Sequence, residues 1–373
     1  MRLDSLAAPR AGIGYYTEHL TRGLIETSDV EITGVFHGHA VTGSALLELL
    51  ADPGAGSGGV GSKWLGRLKP VLRNMPGAYA LRQLVNDRRS ARNADGFTLY
   101  HEPSFIPFQF PGPTVLTVHD LSHLRHPEHH PPKRVRFLEQ HLPDAIQRAA
   151  AVIVDSQFTA DEVAEFFPKA MDKVSAVPLG VEESIGVLPP VRVRSVLAEY
   201  GLPFKSYILS VATLEPRKNI AGLVRAYRAL PSALQSQLPL VLVGGAGWRN
   251  RELESLLAER DGLGRVLLTG RVPRAHLAGL LNGARLFAYP SFYEGFGLPI
   301  AEARACGTPV LTTNSGAMAE IAGEDAFLVA PEELPQGLHQ ALLTMPESVA
   351  PFRYSWQATA EKTLAIYRMV VQR

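Results

Sequence analysis

The sequence predicts an α/β protein built as two Rossmann-like domains with parallel sheets. Three observations carry this. Short apolar runs alternate with stretches of helical spacing along both halves of the chain. The length, 373 residues, is comfortable for two cores. A Pro- and Gly-dense segment at 178–190, PLGVEESIGVLPP, separates the halves as a hinge.

The second half reads most clearly. Residues 207–212 (YILSVA) form a strand, and 219–230 (NIAGLVRAYRAL) a helix opened by a capping-type Asn. Residues 240–243 (LVLV) are a strand running into Gly244-Gly245. Helices at 251–259, 276–284 and 299–306 then alternate with strands at 266–269, 286–289 and 309–313. Such apolar strands belong to a parallel sheet covered on both faces, which binds ligands at its carboxyl edge.

The first half repeats the alternation with an interruption. Strands are expected at 2–4, 30–36, 97–101, 114–119, 151–155 and 174–177, with helices at 13–27, 134–149 and 159–166. Residues 51–61 are Gly-rich and read as a mobile loop, and 63–92 are basic and partly helical in pattern. The expected domains are 1–180 and 181–351, with 352–373 returning as a helix onto the first.

Composition narrows the function. Hydrophobic residues make up 46% and charged residues 20%, and the net charge of +1 offers no global field for nucleic acid. The single cysteine, Cys306, permits no intramolecular disulfide. No apolar run reaches the roughly 20 residues needed to span a bilayer. With no signal-peptide core at the start, the expected location is cytoplasmic, with peripheral contact on the inner face of the membrane open.

Four motifs carry chemistry. In 291–302, SFYEGFGLPIAE, a strand leads through a glycine loop into a helix, and seven residues separate Glu294 from Glu302. Gly295 and Gly297 let backbone approach a ligand, and N–H groups at a helix start attract phosphate. The two carboxylates suit hydroxyl-rich ligands such as a sugar and a ribose. The plainer alternative is a Gly-rich turn with a capping Glu. In 215–219, EPRKN, Arg217 and Lys218 can neutralise a diphosphate leaving group. Otherwise they are a solvated charge pair. In 114–120, TVLTVHD, His119 stands at a strand end, facing a cleft or satisfied locally. In 11–17, AGIGYYT, Gly12 and Gly14 open the first helix, but Thr17 replaces the third small residue of the dinucleotide fingerprint.

Together these motifs resemble glycosyltransferase family 4, whose members are retaining enzymes. The resemblance covers nearly the whole chain, although the family's first strand is longer than the six residues ahead of Ala7. It implies the GT-B fold, two Rossmann-like domains with parallel sheets facing across a cleft. It also implies residue roles. Glu294 would contact the donor sugar and Glu302 the ribose. Gly295, Phe296, Gly297 and Leu298 would offer amides to sugar and phosphate. Arg217 and Lys218 would bind the diphosphate, His119 the donor sugar, and Gly12 and Gly14 would flank the diphosphate. The segment Thr269-Gly270-Arg271-Val272 would read the base through its backbone.

The implied reaction moves a hexose, mannose or a related sugar, from a nucleotide-sugar donor to a saccharide or lipid-linked acceptor. A GDP-hexose donor is favoured by likeness to surface-polysaccharide members. No Asp-x-Asp pair occurs, so no metal or other cofactor is expected, and Arg217, Lys218 and helix-start amides would take the metal's place. His119, His123, His126, His129 and His130 are read as loop histidines, because Pro127 and Pro131-Pro132 break regular helical ligand spacing. Segment 63–92 could rest on anionic lipid or pack on its own domain. Competing readings are a nucleotide-sugar epimerase, a phosphorylase and a non-enzymatic sugar-nucleotide binder. NAD chemistry lacks its fingerprint.

Overall fold

The computed structural model describes residues 1–7, 12–27, 30–51, 87–92, 96–245, 247, 251–258 and 265–372. The segment 63–86, and the Gly-rich stretch apart from Ala51, lie outside them. Residues 87–92 are helical.

Strands β1 (Gly34–Phe36) and β2 (His39–Val41) make an antiparallel hairpin. The sequence reading expected one strand over 30–36. His37 and Gly38 both adopt positive φ, the geometry of a two-residue hairpin loop, and turn the chain back. The expected strand at 2–4 reduces to a parallel bridge between Arg2 and Val35. The chain then tightens into a 3₁₀ turn, Asp4–Leu6, whose Asp4 carboxylate accepts from the His37 N–H at 2.6 Å.

Four parallel strands follow, in the order β3 (Tyr100–Glu102), β4 (Thr114–Val118), β5 (Ala151–Val154), β6 (Val174–Ala176). Alternate side chains serve opposite faces. Leu116, Val118, Val152 and Val154 meet Leu138, Leu142, Ile146 and Val163 from two helices, Pro132–Arg148 and Gln157–Phe166. Val115 and Ile153 face Ile366 and Val370 of the last helix, Trp356–Gln372. That helix also lies along the first helix, Gly12–Thr27, where Trp356 stacks on His19 at 5.0 Å.

The second sheet has six parallel strands, ordered β12 (Phe327–Val329), β11 (Val310–Thr313), β10 (Leu286–Tyr289), β7 (Ile208–Val211), β8 (Leu240–Val243), β9 (Val266–Gly270). Ile208, Leu286 and Leu311 pack beneath the helix Ile220–Arg228. Leu209, Phe287 and Val310 pack on the other face. Each such fully buried side chain contributes about 1.5–3 kcal/mol.

The segment at 178–190 is irregular, as a hinge should be, yet it is packed. Ile185 is fully buried, and the Val181 N–H donates to the Tyr354 carbonyl at 2.9 Å. A Cβ on Gly180 would stand 2.4 Å from the Trp356 ring, so only glycine fits there. Among the described residues no helix is long and apolar enough to cross a membrane.

Candidate active site

Strand order explains where the site forms. From β7 the chain builds outward through β8 and β9, and from β10 outward through β11 and β12, the other way. The switch point lies between β7 and β10, where the crevice at the carboxyl edge of an open α/β sheet opens. Arg217 and Lys218 follow β7, and Glu294 follows β10. The two loops are tied by the Phe292 N–H, which donates to the Arg217 carbonyl at 2.9 Å.

These three side chains form one buried ion cluster. Lys218 Nζ donates to Glu294 Oε1 at 2.5 Å and to the Tyr289 hydroxyl at 2.9 Å. Arg217 Nη1 donates to Glu294 Oε2 at 2.9 Å and to the Tyr293 carbonyl at 2.7 Å, while Nη2 reaches Glu215 at 3.2 Å. Burial works against the Glu294 carboxylate, but Arg217 and Lys218 outweigh it and hold its pKa below the usual range. Burial draws Lys218 down despite its carboxylate partner. Asp120 accepts from the Ser122 N–H and hydroxyl at 3.0 and 2.6 Å. Against burial, the Arg217 charge and these bonds depress its pKa too.

Beyond Glu294 the backbone opens. The N–H groups of Gly295, Phe296, Gly297 and Leu298 meet no protein acceptor among the described residues. Gly297, at φ +91°, caps the helix Leu298–Ala305 in a left-handed conformation. Consecutive unpaired N–H groups at a helix start make an anion site. The Phe296 side chain turns into the core, edge-on to Tyr354.

Glu302 stands apart from this cluster in a second one. It accepts from Arg274 Nη2 at 2.5 Å, and Arg274 Nε donates to Glu182 at 2.8 Å. Burial raises the Glu302 pKa, and the Arg274 charge only partly offsets this. The Arg274 guanidinium lies over the Tyr15 ring at 5.4 Å, which brings the start of the first helix, with Gly12 and Gly14, beside the second domain. Apart from its chain neighbours and its own helix backbone, no described atom lies within 4 Å of where a Gly12 Cβ would stand, whereas Gly14 is buried. Val272, two residues before Arg274, is half-buried against the core.

His119 follows β4 and Asp155 follows β5, and the pairing of Val118 with Val154 sets them side by side. Nδ1 lies 2.7 Å from Asp155 Oδ2, and Nε2 lies 2.9 Å from the Pro103 carbonyl. Burial opposes charge on the ring, but Asp155 and the Pro103 carbonyl prevail and raise its pKa. Both ring nitrogens are therefore engaged within the first domain, and the ring packs against Tyr16 at 4.8 Å. The His119 carbonyl, by contrast, meets the glycine loop: a Cβ on Gly295 would stand 1.7 Å from it.

Several residues at this seam carried no motif. Ser156 caps the helix Gln157–Phe166, and its hydroxyl donates to the Gly295 carbonyl at 2.7 Å. Glu320, from the second domain, accepts from the N–H groups of Gln157 and Phe158, each at 3.0 Å. The Tyr293 hydroxyl donates to Glu162 and accepts from the Leu121 N–H at 3.0 Å. The signals available were a Ser ahead of a helix and an Asp ending a strand. Arg274 and Glu320 had none, because their partners are distant in sequence.

Two parallel-sheet domains, with a basic pair and open N–H groups at the switch point of the second, define a glycosyltransferase of the GT-B class. Residues 10–184 match the family described as Glycosyltransferase Family 4, and residues 201–362 match Glycosyl transferases group 1. O-antigen chain mannosyltransferase B of Escherichia coli is 31% identical over 98% of both chains. Among solved structures, WaaG, a glycosyltransferase involved in lipopolysaccharide biosynthesis, superposes with a TM-score of 0.65 over 98% of this chain and 96% of its own, at 15% identity. HepE of Anabaena, in complex with UDP-glucose, gives 0.60 over 80% and 83%, at 22% identity. The chain belongs to glycosyltransferase family 4 and is a hexosyltransferase.

Proposed function

We propose that this chain transfers mannose from GDP-mannose to a saccharide or lipid-linked acceptor in surface-polysaccharide synthesis, retaining the anomeric configuration. The observation that carries this reading is the end-to-end likeness to a relative named as an O-antigen chain mannosyltransferase. A lipid-linked acceptor would bring the chain to the inner face of the membrane from the cytoplasmic side.

The geometry supports a specific division of labour. The diphosphate enters beside Arg217 and Lys218 and takes the place of the Glu294 carboxylate as their counter-ion. Glu294 is then released to accept from donor-sugar hydroxyls. The N–H groups of 295–298 face the phosphate oxygens. As the sugar–phosphate C–O bond breaks, charge grows on the leaving oxygen, and this preorganised field stabilises it without a metal. The acceptor hydroxyl attacks the anomeric carbon from the same face and gives its proton to the departing diphosphate. Glu302, held by Arg274, takes the ribose hydroxyls. His119, with both ring nitrogens held by Asp155 and the Pro103 carbonyl, walls the sugar side of the cleft.

The test is a panel of nucleotide sugars with released nucleoside diphosphate as readout, with and without mannose-bearing acceptors and in excess chelator. Acceptor-dependent release from GDP-mannose, unaffected by chelator, is expected. Acceptor-independent epimer formation, or turnover that requires inorganic phosphate, would replace the reading with an epimerase or a phosphorylase.

A further inference from the structure

We propose that His126, Glu128 and His129 form a binding site for one divalent transition-metal ion of the zinc class. Prolines break regular helical spacing here, and that break creates the arrangement. Pro127–His129 is a single 3₁₀ turn. At three residues per turn, positions i and i+3 eclipse, and the His126 and His129 rings stack at 5.4 Å with 11° between their planes.

Glu128 reaches between them. Its Oε1 lies 3.3 Å from His126 Nδ1 and 3.7 Å from His129 Nε2. The three ligand atoms all fall within 4.8 Å of one another. Zinc bonds of about 2.0–2.1 Å in a tetrahedron put ligand atoms roughly 3.3–3.5 Å apart. Side-chain shifts on the order of 1 Å therefore complete the site. Two imidazoles and one carboxylate are a borderline donor set that favours zinc, with the fourth position left for water. Magnesium and calcium need more oxygens than this turn offers.

The walls are built as well. His126 meets Tyr293 edge-on at 5.5 Å, and His129 stacks on Phe292 at 6.0 Å. Tyr293 is itself held by Glu162 and Leu121. The rings are thus oriented before any metal arrives, and the exposed Glu128 leaves an entry path. Phe292 and Tyr293 immediately precede Glu294, so the site lies beside the loop that carries Glu294 without drawing a ligand from it.

Untagged full-length protein, titrated calorimetrically with Zn²⁺ and optically with Co²⁺, tests the site. One equivalent should bind with micromolar affinity, and Co²⁺ should develop the visible absorption of low coordination number. His126→Phe and His129→Phe keep the stacked rings but lack ligand atoms. Each should weaken binding at least about tenfold, and Glu128→Gln should weaken it less. His141→Gln, a change in an exposed histidine elsewhere, should leave affinity unaltered. Thermal melts establish that each variant is folded, and His126→Gln and His129→Gln serve where a Phe variant is not. Absence of saturable binding below millimolar Zn²⁺ overturns the proposal. So does binding that the substitutions at 126 and 129 leave unchanged.

Discussion

Lys218 Nζ and the Glu294 carboxylate meet at 2.5 Å, with side chains only 12% and 9% exposed. With Arg217 at 2.9 Å on the other oxygen, Glu294 is the shared counter-ion of two buried cations. Glu294→Ala takes the bonded carboxylate from Lys218 and leaves Arg217 with Glu215. Breaking a buried pair from one side costs about 3–5 kcal/mol, and loss of the carboxylate proposed to hold the donor sugar should cut transfer by about a hundredfold to a thousandfold. Denaturant melts and nucleoside-diphosphate release check the two effects. A variant that turns over at the normal rate removes Glu294 from the reacting centre.

Lys218→Ala acts differently. It removes one of two cations while Arg217 keeps Glu294 partnered, so the fold should tolerate it better. Donor affinity should fall at least about tenfold, a charge-assisted contact of some 1.5–3 kcal/mol. Equilibrium binding of the nucleotide sugar measures this directly, and undiminished affinity would take Lys218 out of the diphosphate site.

How much of this was legible in sequence differs by residue. The runs that became β7, β8, β10 and β11 are apolar on both faces, so their identity survives in the sequence alone. The loops that follow β7 and β10 carry Arg217, Lys218 and Glu294, and their motif spacing marked them. That β10 lies beside β7 was not legible, because strand order is a long-range pairing with no local signature. The His37-Gly38 turn was missed because three-residue strands are too short to display a period. The stacking of His126 on His129 was hidden because a 3₁₀ turn brings together residues that an α-helical spacing test discards. The pairing of Arg274 with Glu302 and Glu182 joins a helix start, a helix interior and the interdomain segment, which only the folded chain brings together.

The buried His101 predicts a pH dependence of stability. It lies between the Tyr367 hydroxyl at 2.5 Å and the Thr117 hydroxyl at 2.7 Å. Burial, helped by the nearby positive N-terminus, lowers its pKa to about 3. Between that value and the ordinary 6.5, the unfolded chain binds a proton that the folded chain refuses. His101's contribution is therefore fully present above pH 6.5 and is lost as pH falls toward 3. Glu102 runs the opposite way, because burial raises its pKa to about 7, so the informative quantity is a difference. Relative to the parent, His101→Gln should gain about 2 kcal/mol in stability between pH 7.5 and pH 5. Urea melts across that range measure it, and parallel curves would contradict a neutral buried imidazole.

Glu320 adds one tie between the domains by capping a helix that is not its own. Its two oxygens accept from Gln157 and Phe158 at the positive end of Gln157–Phe166. Glu320→Gln leaves a single acceptor and no charge, weakening the closed arrangement by about 1–2 kcal/mol. The radius of gyration from solution scattering should rise, and KM for donor should rise with little change in melting temperature. An unchanged scattering profile and KM would mean that this contact does not set closure.

At Gly295 the backbones of the two halves meet. Its carbonyl accepts from Ser156 at 2.7 Å and from Thr159 at 3.2 Å, both residues of the first domain. A Cβ there would stand 1.7 Å from the His119 carbonyl and 2.8 Å from its carbon, backbone atoms that no rotamer change can clear. Gly295→Ala must push the His119 strand end and the Glu294 loop apart. That shift separates the unpaired N–H groups of 295–298 from the first-domain side of the site. A displacement near 1 Å at a reacting centre costs on the order of a hundredfold in rate. Transfer should drop by at least that factor, whereas each domain's own core, being remote from the seam, keeps its packing. Donor-binding and turnover assays on the folded variant decide the matter. Full activity in Gly295→Ala would mean that the reaction runs with the seam open, and that the closed arrangement is not the catalytic one.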